Sequence, residues 1–230
     1  MMPAIPGQTA VLFDLDGTLT DPFVGISRSM QHALATLGYP SPEAASLRSY
    51  IGPPLQVTFP KLLASDDRAL NDEALRLYRQ RYADVGKLEN VLIDGIVDAL
   101  EILAGQGHYL CVATSKLETY SVEIVEHFGL SRFFRAVHGS GLDGRNADKG
   151  ELIGHIIETE RLDPANTIMI GDRLHDVVGA ARHGIRAIGV LWGFGDREEL
   201  DNAGAAAIAE RPSALPELVS GQLSDTTAPA

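Results

Sequence analysis

The chain has 230 residues, 45% hydrophobic and 22% charged, which suits one large domain or a domain with a smaller insert and excludes wholesale disorder. Its 19 basic and 31 acidic residues leave a formal charge of −12, so the surface at large repels phosphate backbones and nucleic-acid binding is not expected. A lone cysteine, Cys111, leaves no internal disulfide, no apolar run reaches the roughly 18 residues of a membrane span, and the opening MMPAIPGQT lacks the form of a signal peptide, so a soluble cytoplasmic protein is expected.

In chain order, residues 10–13 form a short apolar run stopped by Asp14-Leu15-Asp16-Gly17-Thr18, the pattern of a buried parallel strand ending in a polar turn. From about 22 to 86 nothing reads as a strand. Ile26, Met30, Ala33 and Leu37 follow helical spacing, as do Leu70, Ala74, Leu77 and Val85, with turns at Tyr39-Pro40-Ser41-Pro42 and Gly52-Pro53-Pro54. Beyond this stretch, helices are predicted over 95–104, 118–128, 151–159 and 176–183. Strands are predicted over 109–113, 135–138, 167–170 and 186–191, stopping at Thr114-Ser115, Gly139-Ser140, Gly171-Asp172 and Trp192-Gly193. The small, polar tail 220–230 is expected to fray. Alternation of strand and helix predicts an α/β fold, a doubly wound, Rossmann-like parallel sheet. The core would comprise 1–20 and 90–230, interrupted by a helical insert over 21–89.

The chemistry-bearing residues fall where such a fold gathers them. In open α/β sheets the carboxyl ends of the strands form the ligand crevice. Asp14 and Asp16, Thr114 and Asp172 each follow a predicted strand, and Lys149 precedes an apolar helix that reaches the same rim. Residues i and i+2 of an extended segment project to one side, so Asp14 and Asp16 are expected to bring two carboxylates together. That arrangement needs a cation or a proton between them, and Mg²⁺ prefers such oxygen ligands. Asp172, and Asp176 four residues on, would complete the set. Gly17 and Thr18 would let backbone amides approach an anion.

Asp14-Leu15-Asp16-Gly17-Thr18-Leu19 resembles the first motif of the haloacid-dehalogenase superfamily, in its large phosphatase branch. Thr114, Lys149 and Gly171-Asp172-Arg173-Leu174-His175-Asp176 are similar to the second, third and fourth motifs, in order, covering most of the chain from Val11 to about Trp192. The wording around 139–149 and of the fourth motif is most similar to the phosphoglycolate-phosphatase-like subfamily, in which the helical insert is a mobile cap. The resemblance implies Asp14 as the nucleophile that forms an aspartyl phosphate, and Asp16 as the acid and then the base. It implies Mg²⁺ on the Asp14 side chain, the Asp16 carbonyl and Asp172, with Asp176 holding a metal water or orienting Lys149. Thr114 and Lys149 would bind the phosphoryl group, with Ser115 in support. The loop at Gly52, with Arg48 and Tyr50, would face the substrate.

The remaining features have plainer readings. Cys111 is a core residue, His175 faces solvent, Asp21 is a turn residue, and Trp192-Gly193-Phe194-Gly195 packs at the sheet end or lines the crevice rim. The expected activity is Mg²⁺-dependent hydrolysis of a small phosphorylated metabolite: phosphoglycolate-like, a sugar phosphate or a nucleoside monophosphate. A phosphomutase of the same fold and a catalytically retired binding protein are the alternatives. A dehalogenase would have no use for Asp16, and a phosphonate hydrolase would need a cap lysine, for which only Lys61 and Lys87 are candidates. Oligomeric state is not legible.

Overall fold

The computed structural model describes residues 8–51 and 55–224. They fall into two compact units, one formed by residues up to Thr20 together with Leu92 onward, the other by Asp21–Val91. The second unit runs past residue 89, where the sequence reading ends the insert. No helix among the described residues is long and apolar enough to cross a membrane.

The Asp21–Val91 unit is helical: α1 (Phe23–Thr36), α2 (Leu55–Leu63) and α3 (Arg68–Asp84), with tighter turns at Ala44–Tyr50 and Gly86–Leu88. The carboxylate of Asp21 accepts the Phe23 N–H at 2.9 Å and so opens α1. Ile26, Met30 and Ala33 of α1 are buried, and so are Ala74, Leu77, Tyr78 and Tyr82 of α3. Val85, which continues the helical spacing of the sequence, lies beyond the end of α3 and is 51% exposed, because the helix stops one residue earlier. Gly25 allows close packing, since a Cβ there would meet the Gly86 carbonyl oxygen at 1.9 Å.

The larger unit is built on a sheet. Its strands are β1 (Ala10–Phe13), then, after the short β2 (Thr20–Asp21) and β3 (Val91–Leu92), which form their own two-stranded sheet, β4 (Tyr109–Leu117), β5 (Ala136–Ser140), β6 (Thr167–Gly171), β7 (Arg186–Val190) and β8 (Ala207–Ala209). The six-stranded order is β5-β4-β1-β6-β7-β8, all pairs parallel. Strand β1 is central, with Phe13 in register with Val112 of β4 and Ile170 of β6. Alternation sorts its side chains: Val11 and Phe13 join one apolar core, Ala10 and Leu12 the other.

The first core is closed by α4 (Ile96–Gly105), α5 (Glu118–His127) and, by their places in chain order, the second by α6 (Lys149–Glu160), α7 (Leu174–Ala181) and α8 (Arg197–Ala203), while α9 (Leu215–Ser224) returns to the first. This is a doubly wound α/β sheet with helices on both faces.

Three expectations change. Strand β4 does not end at Ala113 but continues to Leu117, with its register against β5 shifting between those residues, so Thr114 lies within the strand. No glycine or proline interrupts 113–117, and the backbone stays extended. The tail does not fray from residue 220: α9 reaches Ser224 and buries Leu215 and Val219. Strand β8 has no counterpart in the sequence reading, because an alanine-rich run carries no apolar period.

Candidate active site

The carboxyl ends of the three central strands, β4, β1 and β6, deliver the candidate residues. Asp14 follows β1 directly, and its N–H donates to the Ile170 carbonyl of β6 at 2.9 Å, fixing it against the neighbouring strand. Asp172 follows β6, and Asp176 stands in the first turn of α7, where its Oδ2 accepts the Arg173 N–H at 3.1 Å. One oxygen from each of Asp14, Asp172 and Asp176 lies within 4.8 Å of the others.

Lys149, the first residue of α6, reaches into this cluster. Asp148 caps the helix by accepting the Glu151 N–H, and Lys149 is 5% exposed. Its Nζ meets Asp14 Oδ1 at 2.9 Å, the Ala113 carbonyl at 2.9 Å and Asp176 Oδ1 at 2.7 Å. Burial alone would push the ammonium down, but the Asp14 and Asp176 carboxylates overcome it and hold Lys149 above its ordinary value. Burial pushes the Asp176 carboxyl up to about 6 against the pull of Lys149. Burial, then the charges of Asp14 and Asp176, raise Asp172 well above its ordinary value.

Asp172 is caged by glycines. A Cβ on Gly17, whose φ is +83°, would fall 2.2 Å from Asp172 Oδ2, one on Gly193 2.3 Å from Asp172 Cβ, and one on Gly195 2.1 Å from the Asp172 carbonyl oxygen. Between the last two, the Phe194 N–H donates to Asp172 Oδ2 at 2.7 Å. The other oxygen, Oδ1, is buried with no hydrogen-bond partner among the described residues. One ammonium thus stands against three carboxylates, with a buried carboxylate oxygen left over. A divalent cation fits that donor set, since hard carboxylate oxygens suit such an ion and a buried, unpaired one is costly.

Asp16 departs from expectation. Its carboxylate is not part of the acidic cluster; Oδ2 instead accepts a hydrogen bond from Lys116 Nζ at 2.5 Å. After Asp14 the chain turns at once through Gly17 rather than staying extended, so i and i+2 do not share one cation. Burial pushes the Asp16 carboxyl up, opposed by Lys116. Gly17 differs in role as well. Its N–H donates to the Thr20 carbonyl at 2.7 Å, so it provides a left-handed turn and room for Asp172 rather than an amide for an anion.

Thr114 is 2% exposed, and its hydroxyl accepts the Lys116 N–H at 3.3 Å; Ser115 is exposed. Arg48 belongs to the helical unit, with its guanidinium 5.7 Å from the centre of the Phe23 ring. Gly52 lies outside the described residues. His175 is exposed and Cys111 buried. Trp192 donates its indole N–H to the Thr18 carbonyl at 3.0 Å, tying the first turn to the glycine loop.

Two contributors escaped the sequence reading. Lys116 is one, although Thr114 and Lys116 have the same i, i+2 spacing on an extended strand that drew attention to Asp14 and Asp16. Glu199 of α8 is the other: one of its oxygens accepts both Arg173 Nε and the Leu174 N–H at 2.8 Å, bracing the loop after Asp172. Nothing in the residues around Glu199 points there, since its partners are about 25 positions away.

A doubly wound sheet that gathers a carboxylate cluster and a buried lysine at the ends of its central strands defines an α/β enzyme with a place for a divalent metal. The chain belongs to the haloacid dehalogenase-like hydrolase family, whose profile matches residues 11–190. It is 49% identical over 190 residues to a 5'-nucleotidase of Pseudomonas aeruginosa, covering 83% of this chain and 86% of that protein. It is 38% identical over 205 residues to Tyrosine-protein kinase PtkA of Mycobacterium tuberculosis, covering 88% and 69%. Among solved structures, a haloacid dehalogenase-like family hydrolase of Streptococcus pneumoniae superposes with a TM-score of 0.84 at 31% identity, over 93% of this chain and 99% of that one. The nucleotidase and hydrolase relatives set it among the phosphatases of the family.

Proposed function

We propose that the protein is a Mg²⁺-dependent phosphatase of a small phosphorylated metabolite that works through a phosphoryl-enzyme on Asp14. The observation that carries this reading is the buried cluster of Asp14, Asp172 and Asp176 with Lys149 bridging two of its members. The Asp14 side chain, Asp172 and the Asp16 carbonyl would hold the cation, with Asp176 behind them orienting Lys149. Once bound, Mg²⁺ would draw charge from the phosphoryl oxygens and offset the acidic surroundings.

The chain's own residues account for the remaining steps. Asp14, anchored by Lys149 Nζ at 2.9 Å, attacks phosphorus with a carboxylate oxygen, and the bond to the leaving alkoxide breaks. Asp16, whose carboxyl burial favours the protonated form, passes its proton to that alkoxide. The resulting Asp16 carboxylate then takes a proton from a water whose oxygen attacks the phosphorus, and the Asp14–phosphorus bond breaks to release inorganic phosphate. Thr114 and Lys149 would bind the phosphoryl oxygens, and Lys149 supplies positive charge where negative charge develops. The helical Asp21–Val91 unit would be the cap that sets substrate choice. Similarity to the 5'-nucleotidase of Pseudomonas aeruginosa supports nucleoside monophosphates as members of the substrate class.

Phosphate release from phosphoglycolate, sugar phosphates and nucleoside monophosphates, with and without Mg²⁺, tests this reading. Metal-dependent release is expected from at least one ester, falling to background in Asp14→Asn, together with a phosphorylated chain detectable by intact mass in the wild type alone. A folded protein that releases phosphate from none of them would overturn it. Conversion between sugar phosphate isomers without net release would assign a phosphomutase instead.

A further inference from the structure

Lys116 touches the Asp16 carboxyl, yet the reaction as described gives it no part. Its Nζ lies 2.5 Å from Asp16 Oδ2, and its side chain is 9% exposed, so the pair is largely shielded from solvent. The backbone N–H of the same residue donates to the Thr114 hydroxyl at 3.3 Å. One residue of β4 therefore holds both the proton-exchanging carboxyl from the turn after β1 and a hydroxyl expected at the phosphoryl group. The second Asp16 oxygen, Oδ1, is buried and has no hydrogen-bond partner among the described residues. An aspartate side chain free to rotate would exchange its two oxygens; one with Oδ2 anchored keeps Oδ1 facing one way.

We propose that Lys116 is a positioning residue for Asp16. Its ammonium fixes Oδ2 so that Oδ1 is the oxygen that passes a proton to the leaving alkoxide and later accepts one from water. The inference rests on the acid–base reading of Asp16 given above. In both half-reactions the ammonium stays on Oδ2 and the proton moves at Oδ1, so Lys116 itself gains and loses nothing. The gain is orientation: proton transfer requires the carboxyl oxygen to lie within hydrogen-bond reach of the leaving group when the bond breaks.

The consequence depends on the ester. An alkoxide leaving group needs its proton, whereas p-nitrophenolate leaves without one. In Lys116→Met, kcat/KM for the best sugar phosphate or nucleoside monophosphate of the panel is expected to fall about tenfold or more. For p-nitrophenyl phosphate it is expected to fall less than about threefold, and Lys116→Arg should recover most of the loss. Asp16→Asn, measured alongside, should discriminate between the two esters in the same sense. Equal losses for both esters in Lys116→Met would show the lysine acting on the transferring phosphoryl group, and no loss for either would show that it acts on nothing; each result overturns the proposal. If Asp16→Asn discriminates and Lys116→Met does not, the Lys116 inference fails alone. If Asp16→Asn does not discriminate, the acid role of Asp16 fails and takes this inference with it. Thermal unfolding of each variant checks the fold, and Lys116→Gln replaces the methionine variant if that one does not fold.

Discussion

Asp172 is confined from three sides, by Gly17, Gly193 and Gly195, and is aimed by one backbone N–H from Phe194. The confinement selects which of its oxygens is left to a cation. Gly193→Ala places a methyl group 2.3 Å from Asp172 Cβ, and neither partner is the far end of a flexible chain. The variant should weaken divalent-metal affinity about 10- to 100-fold, the cost typical of disturbing a group that orients a ligand. Titration with Mn²⁺, followed by its paramagnetic signal, measures this without reference to turnover; an unchanged affinity would show that Asp172 is not a ligand. Asp14, Asp172 and Lys149 were legible because each interrupts or borders an apolar run with a residue type that oxygen or phosphate chemistry needs. The orientation of Asp16 was not, because it depends on the turn at Gly17 and on Lys116, about 100 residues away.

Helix α6 carries a polar anchor at each end. Lys149 is its first residue, and Glu160, its last, accepts the Tyr109 hydroxyl at 2.6 Å through one oxygen and meets His138 Nε2 at 2.8 Å through the other. Burial, reinforced by the Glu160 contact, pushes the Tyr109 phenol well above its ordinary range. Glu160→Ala leaves both partners without this acceptor in a largely buried setting and should cost about 2–4 kcal/mol, read by denaturant unfolding. The two ends of a 12-residue helix are about 18 Å apart, so turnover well below the melting temperature should change less than about threefold. A large loss of turnover at unchanged stability would contradict that separation. At this scale the sequence reveals elements wherever an apolar period is unbroken. Helices 95–104 and 151–159 shift by a residue or two at their ends, where capping rather than periodicity decides. Strand β8 and helices α8 and α9 went unread, because the first is alanine-rich and the other two bury few large side chains.

Across the molecule, the acidic excess behind a net charge of −12 includes one buried cluster, Asp14, Asp172 and Asp176. Asp176 has a folded-state pKa of about 6 against an ordinary 3.8, and Asp172 is shifted the same way. Between those values these two carboxyls hold more protons in the folded chain than in the unfolded one, so without metal the cluster's own contribution to stability falls as pH rises through roughly 4 to 6. A divalent cation competes with these protons, and its stabilisation should therefore grow over the same window. The rise in melting temperature on adding Mg²⁺ should be larger at pH 7 than at pH 5, and an equal rise at both would argue against binding at the cluster. The parallel order also bears on how the chain is made. β1 is synthesised first yet sits in the middle of the sheet, between strands that follow much later. Lys149 emerges 135 residues after Asp14, and Asp172 later still. At about 5–20 residues per second on a ribosome, roughly 7–27 s pass with Asp14 made and its ammonium partner missing. A nascent or truncated chain therefore carries an aspartate with no means of using it, and hydrolysis begins only when the sheet closes around its first strand.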